Sequence, residues 1–208
     1  MALVKICGIT NAEDALAAVE AGADLLGFNF YSKSPRYISP REARRIAEAL
    51  PRSVARVGVF VNEDGPEAIA RAVSEADVGA AQLHGDETPE FCARLVEISV
   101  IKALRVGRGF SVERASLYKT DALLLDAYVK DAWGGTGQTF DWSVARRTRE
   151  VVAKLFLAGG LTPENVAEAV REVRPFAVDV CSGVETSPGR KSYELMRNFV
   201  EAVRAVEG

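Results

Sequence analysis

Short apolar runs alternate with longer amphipathic ones along nearly the whole chain, and this order restricts the fold more than any single motif does. The apolar runs are LVKICGI (3–9), LLGFNF (25–30), ARVGVFV (55–61), AAQLHG (80–85), SVIKALRV (99–106), ALLLDAY (122–128), KLFLAGG (154–160) and AVDVCSG (177–183). Between and after them stand the helical patterns AEDALAAVEAG, SPREARRIAEAL, GPEAIARAVSEA, TPEFCARLVEI, SVERASLYKT, DWSVARRTREVV, TPENVAEAVREV and RKSYELMRNFVEAVRAV. Several open with Ser, Thr or Asp followed by Pro or Glu, residues that cap a helix and suit its first turn. SVERASLYKT is short and shows no clear cap. Strands each followed by a helix make parallel β-α-β units, and eight such units close a barrel. An open doubly wound sheet would carry a glycine-rich dinucleotide loop after its first strand, where this chain reads CGIT. The fold class is therefore α/β, a single-domain (βα)8 TIM barrel of eight parallel strands over residues 1–208. A faint echo between GITNAEDALAAV (8–19) and GLTPENVAEAV (160–170) fits a ring of related modules.

Composition narrows the partners. A formal net charge of −3 argues against general nucleic-acid binding, which needs a basic excess to neutralise phosphates. The three cysteines, Cys7, Cys92 and Cys181, are odd in number and far apart, so they are not a disulfide framework. With a single histidine, His84, and no closely spaced ligand pair, no metal site is expected. The chain shows neither a leader pattern nor an apolar run near the ~20 residues of a membrane span. The expectation is a cytoplasmic, soluble protein that binds a small molecule and neither nucleic acid nor membrane.

In a parallel barrel, chemistry gathers at the carboxyl ends of the strands. Those positions hold Cys7, Asn29 with the loop 31–39, His84, Arg105, Asp126, Gly159 with Gly160, and Ser182 with Gly183. LAGGLTPEN and DVCSGVETSPGRK both place glycine between a buried strand and a following helix start. Glycine lets the backbone approach an anion, and free N–H groups then hold it. One such loop is as well explained by a tight turn; two on adjacent strands favour phosphate.

Cys92 on a helix and Cys181 fit the usual role of a free cysteine, a small buried apolar side chain. Cys7 differs because it leaves a strand just before a helix N-terminus, which would lower its pKa and make it a base or nucleophile. Asp126 ends the apolar run ALLLD, so a partly desolvated carboxyl with a raised pKa, suited to a general acid, is expected there. Lys5 and Asp179 are charges inside apolar runs on strands that pair when the barrel closes, so they are expected to pair beneath the site. Asp179 is also a candidate to reach the ligand. In YSKSPRYISP (31–40), two prolines stiffen a loop whose Arg36 could clamp a carboxylate with two hydrogen bonds. VKDAWGGTGQTFDW, after strand 6, lacks the spacing of a nucleotide loop and reads as a lid or substrate-facing segment.

KICGIT, GFNFYSKSPRYI, VGVFVN, QLHGDE, LLLDA, GGTGQTFDW, LAGGLTPENV and DVCSGVETSPGRK follow one another in register. Together they resemble the phosphoribosylanthranilate isomerases of tryptophan biosynthesis over essentially the whole chain. The resemblance implies a (βα)8 barrel without cofactor that performs an Amadori rearrangement of an aminoaldose phosphate to an aminoketose phosphate. By the same resemblance Cys7 is the general base, Asp126 the general acid and Arg36 the holder of the anthranilate carboxylate. The phosphate falls to Gly159, Gly160, Ser182 and Gly183, with Asp179 and His84 as further substrate contacts. Two positions depart from the commonest pattern: Cys181 stands where serine is usual, and Ser192 where an acidic residue often follows the glycine and lysine. The rival readings are another sugar-phosphate isomerase or synthase and a non-catalytic phosphate-binding barrel. Monomer and homodimer both remain open.

Overall fold

The computed structural model describes residues 1–107, 109–127 and 141–206. Eight strands, each followed by a helix, form its body. They are β1 (Leu3–Cys7), β2 (Leu25–Asn29), β3 (Ala55–Phe60), β4 (Ala80–Leu83), β5 (Ser99–Val106), β6 (Ala122–Ala127), β7 (Leu155–Leu157) and β8 (Ala177–Val180). The helices are α1 (Ala12–Glu20), α2 (Pro40–Ala47), α3 (Pro66–Ala76), α4 (Pro89–Cys92), α5 (Val112–Ala115), α6 (Trp142–Arg149), α7 (Val166–Val173) and α8 (Tyr193–Arg204). The strands pair in chain order, and β8 returns to β1, closing the TIM barrel. Lys5 lies opposite Asp179 in that closing register.

Strand side chains alternate between two faces, so each strand divides its residues between two cores. One core fills the barrel's lower interior with Leu25, Val57, Ile101, Leu124 and Phe156 among others. The larger one lies between barrel and helices, with Ile6, Leu26, Phe28, Phe60, Leu83, Leu125 and Phe199. Higher in the interior the same inward parity brings polar residues, Lys5, Gln82, Asp126 and Asp179, all buried. The chemistry therefore sits on an apolar plug and is held by backbone ladders.

The helix starts follow the capping logic. Asn11 caps α1 by accepting from Asp14 N–H, and Ser39 and Glu42 form a reciprocal capping box before α2. Each such cap is worth ~1 kcal/mol. α5 proves to be capped too, since Ser111 accepts from Arg114 N–H. α4 is a single turn, shorter than its amphipathic pattern suggests. Past Cys92 the backbone tightens, with Arg94 N–H donating to Phe91 O (3.1 Å) and Leu95 N–H to Cys92 O (3.2 Å). An added antiparallel ribbon, β9 (Glu185–Ser187) with β10 (Arg190–Lys191), lies within a stretch whose glycine and proline read only as loop.

Outside the barrel wall, a second buried ion pair fixes the loops behind β3 and β4. Lys102 Nζ donates to Glu87 Oε2 (2.7 Å) and to the carbonyls of Leu83 (3.1 Å) and Gly85 (2.8 Å). Glu87 also accepts from Asn62 N–H (2.8 Å) and Gly85 N–H (2.9 Å). Burial pushes the Lys102 pKa down, against the pull of Glu87. A Cβ on Gly85 would run into the side chains of Asn62 and Glu87. Removing one member of a buried pair strands the other charge, at a cost of ~3–5 kcal/mol. Glu87→Ala should therefore lower the urea midpoint steeply; a loss under about 1 kcal/mol would show that water reaches Lys102 and restores its solvation.

Candidate active site

The carboxyl ends of the strands surround a cavity of about 450 Å³. Cys7 from β1, Asp126 from β6, Asp179 from β8 and His84 just past β4 form part of its wall. Arg36 reaches it from the loop after β2, Gly159 and Gly160 from the loop after β7, and Ser182 and Gly183 from the 3-10 turn Ser182–Val184 after β8. These nine residues thus line one space, with Lys5 outside its lining. Arg105, also at a strand end, pairs with Asp86 (2.9 Å) and lines a second cavity beside Tyr118. Residues 128–140, which carry the expected lid, lie outside the described residues.

Cys7 is buried, and its surroundings favour the thiolate. A hydrogen bond with the Cys181 thiol is the largest influence and lowers its pKa; burial opposes it, and the Lys5 ammonium lowers it again. The net position is well below the ordinary thiol value. The same hydrogen bond, together with burial, pushes Cys181 well up, because two adjacent sulfurs do not both ionise. The expected cause was a helix N-terminus, and here the structure differs. The cap of α1 is Asn11, whose side chain serves Asp14 N–H, while the charges acting on Cys7 belong to Lys5 and Lys191.

Lys5 and Asp179 do meet, Nζ to Oδ1 at 2.7 Å, with Lys5 wholly buried. Burial disfavours the Lys5 charge, but Asp179 and Cys7 outweigh it and raise its pKa. Burial moves Asp179 up to about 6 in spite of Lys5. The Lys5 ammonium is thus held by Asp179 beneath the thiol.

Three strands round the ring, Asp126 is 4% exposed. Its Oδ1 accepts from Ala127 N–H (2.8 Å), and its Oδ2 lies 3.2 Å from His84 Nε2. That second contact has hydrogen-bond length without hydrogen-bond alignment. The other ring nitrogen of His84 meets Gln82 Nε2 at 3.0 Å. Gln82 shares the inward face of β4 with His84 and also lines the cavity, although its place in an apolar run hides it in the sequence. Gly159 gives Asp126 its room: with φ of 88°, it lies where a Cβ would come within 3.0 Å of Asp126 Oδ1.

The Arg36 guanidinium is already half engaged. Nε donates to Glu185 Oε1 (2.9 Å) and Nη2 to Glu185 Oε2 (2.7 Å). The bond to Glu185 raises the Arg36 pKa in spite of burial. Lys191 Nζ holds the same carboxylate at 2.9 Å. Sequence reasoning passes over Glu185 and Lys191 because they lie in the short β9–β10 ribbon, and Glu185 meets Arg36 only through the closed barrel. The loop bearing Arg36 is stiffened by Asn29 as well as by its prolines: Asn29 accepts from Tyr31 N–H (3.0 Å) and donates to Ser34 Oγ (3.1 Å).

The two glycine loops touch. A Cβ on Gly183 would run into the carbonyl oxygen of Leu161, so the turn after β8 packs on the loop after β7 only because that Cβ is absent. Gly160 has φ of 63°, a region other residues rarely occupy.

The family model described as "N-(5'phosphoribosyl)anthranilate (PRA) isomerase" matches residues 4–202. The chain belongs to that family. Among its phosphoribosylanthranilate isomerase relatives, the protein of Trichlorobacter lovleyi is 52% identical over 200 residues, covering 96% of this chain and 97% of the relative. That of Thermotoga maritima is 51% identical over 207 residues, covering 99% of this chain and 100% of the relative. A crystal structure of the Thermotoga maritima isomerase superposes with a TM-score of 0.92 at 50% identity, over 99% of this chain and 100% of that one. Another phosphoribosylanthranilate isomerase structure, with a TM-score of 0.89 at 49% identity over 99% of this chain and 100% of that one, holds reduced 1-(o-carboxyphenylamino)-1-deoxyribulose 5-phosphate. None of the described helices is long and apolar enough to cross a membrane.

Proposed function

We infer that this chain is an N-(5'-phosphoribosyl)anthranilate isomerase, an aldose–ketose isomerase of tryptophan biosynthesis, with Cys7 as base and Asp126 as acid. One observation carries the reading beyond family membership. A thiol poised toward thiolate and a buried carboxyl share one cavity with two touching glycine loops.

In this reading the ribose phosphate lies on backbone N–H groups of the loops at Gly159–Gly160 and Ser182–Gly183. Asp126 gives its proton to the furanose ring oxygen; the C1–O bond breaks, and the anilino nitrogen's lone pair forms the C1=N Schiff base. Cys7 then removes the proton from C2, and those electrons run to nitrogen, giving an enolamine. Tautomerisation of the enolamine to the C2 ketone completes the aminoketose. Lys5 keeps the thiol ionised for its step. His84, against one oxygen of Asp126, holds the acid in place, and Asp179 fixes Lys5 and borders the sugar.

Glu185 orients Arg36 by taking its Nε edge, which leaves the end-on pair of Nη1 and Nη2 hydrogens for the anthranilate carboxylate. The second edge of a planar guanidinium suits a bidentate carboxylate as well as the first. The three cysteines, all free, suit a reducing cytoplasm. We take residues 1–208 as one domain.

The test is turnover of freshly generated phosphoribosylanthranilate, followed by loss of its fluorescence. Rapid loss is expected. A folded protein that binds inorganic phosphate but leaves the fluorescence unchanged would overturn the assignment.

A further inference from the structure

We propose that Cys7 and Cys181 are an oxidisable dithiol, closing to a reversible disulfide when a peroxide reaches the barrel mouth. That closure silences the site rests on the reading of Cys7 as the base; the disulfide itself does not.

The closing register of the barrel places the two thiols together. Lys5 pairs with Asp179, and Ile6 with Val180. Cys7, the last residue of β1, and Cys181, the residue just past β8, come next after that pair, and both line the cavity. Neighbouring strands lie ~4.8 Å apart, inside the ~4.4–6.8 Å between Cα atoms that a disulfide spans. The Cys181 side chain packs against the residue after Cys7: a Cβ on Gly8 would come within 2.9 Å of Cys181 Sγ. Both line the cavity, so a small oxidant entering from the mouth reaches them.

The surroundings divide the roles. Cys7 sits over the buried Lys5 ammonium, which makes it the nucleophile. Cys181 remains a thiol and is the resolving partner. Its Sγ lies 3.8 Å from Lys191 Nζ and 3.9 Å from Glu185 Oε1, a cation to steady developing negative charge and a carboxylate to accept the proton.

The steps balance. The Cys7 thiolate attacks one oxygen of the peroxide, the O–O bond breaks, and hydroxide leaves, giving a sulfenic acid. Cys181 then attacks the Cys7 sulfur and the S–OH bond breaks; the Cys181 proton, relayed by Glu185, joins the departing hydroxide as water. The two sulfurs lose two electrons to the peroxide. Cys92 is an internal control. It lies in α4, and burial pushes its thiol up to about 11.

The experiment treats the protein with graded hydrogen peroxide, then with dithiothreitol. Intact mass should fall by about 2 Da, the loss of two hydrogens. A non-reducing peptide map should join the Cys7 and Cys181 peptides and leave Cys92 free. Turnover should vanish with the same dose dependence and return on reduction. In Cys181→Ser the cross-link should be absent, with Cys7 trapped by dimedone and carried on to sulfinic acid that dithiothreitol does not reverse. Sulfinic acid at Cys7 of the wild type with no cross-link would overturn the proposal, and so would a link through Cys92. A Cys7–Cys181 link in protein that never turns over phosphoribosylanthranilate would support the dithiol and overturn only the assignment of function.

Discussion

Cys7→Ser is expected to lower kcat/KM for phosphoribosylanthranilate by about 10²–10⁴, the usual worth of a positioned base. The reason lies in the chain of contacts beneath the thiol. The Cys181 thiol and the Lys5 ammonium hold Cys7 well below its ordinary pKa against the pull of burial, and this favours the thiolate. A serine hydroxyl in the same place starts far higher, and one ammonium already shared with Asp179 at 2.7 Å does not bring it to neutrality. The variant should still fold, because the hydroxyl can take over the hydrogen bond with Cys181, and its urea midpoint should stay within about 1 kcal/mol of the wild type. Product affinity should change little, since the phosphate loops and Arg36 are untouched. Steady-state kinetics beside calorimetric titration with the reduced product analogue separates the two effects. Turnover within about threefold of wild type would remove Cys7 from the role of base.

Asp126→Asn should cause a loss of similar size through the other half of the reaction. The amide has the same shape, so its oxygen can still accept the Ala127 N–H that Asp126 takes at 2.8 Å. What disappears is the proton for the ring oxygen. Without it, the furanose ring must open against a poor leaving group, and neither His84 nor Gln82 is placed by this mechanism to donate. The defect should appear in kcat, and analogue binding should persist. A decisive comparison is a substrate already in its open-chain Schiff-base form, whose conversion no longer needs the acid. Asp126→Asn should process that species far better than the ribosylamine, while Cys7→Ser should fail on both. Equal impairment of Asp126→Asn on the two substrates would place Asp126 outside the ring-opening step.

Much of this site is legible in the chain because a barrel turns local patterns into positions. A run such as ALLLD ends where its strand ends, so Asp126 had to stand at the mouth once eight strands were counted. The inward parity that puts Leu124 in the lower core puts Asp126 two residues above it. The same reasoning pairs Lys5 with Asp179 across 174 residues, because two charges inside apolar strands need each other where the ring closes. Carried one step further, that register also brings Cys7 to Cys181. Read alone, however, Cys181 is only a departure from the serine usual at that position, and nothing in its neighbours ties it to Cys7.

Local pattern by itself determined the strand and helix order, the closed barrel, the glycine loops, and the thiol and carboxyl at strand ends. These follow from periodicity and backbone chemistry that act over a few residues. Tertiary structure alone decided which charges and dipoles surround each group. It supplied Cys181 and Lys5 in place of a helix N-terminus as the stabilisers of the thiolate, and Glu185 as the partner that takes one edge of Arg36. It also made Glu87 the anchor of a buried lysine. Such partnerships are set by distances of a few ångströms between segments far apart in the chain. Electrostatic energies in a dry interior depend on those distances, which no local pattern contains.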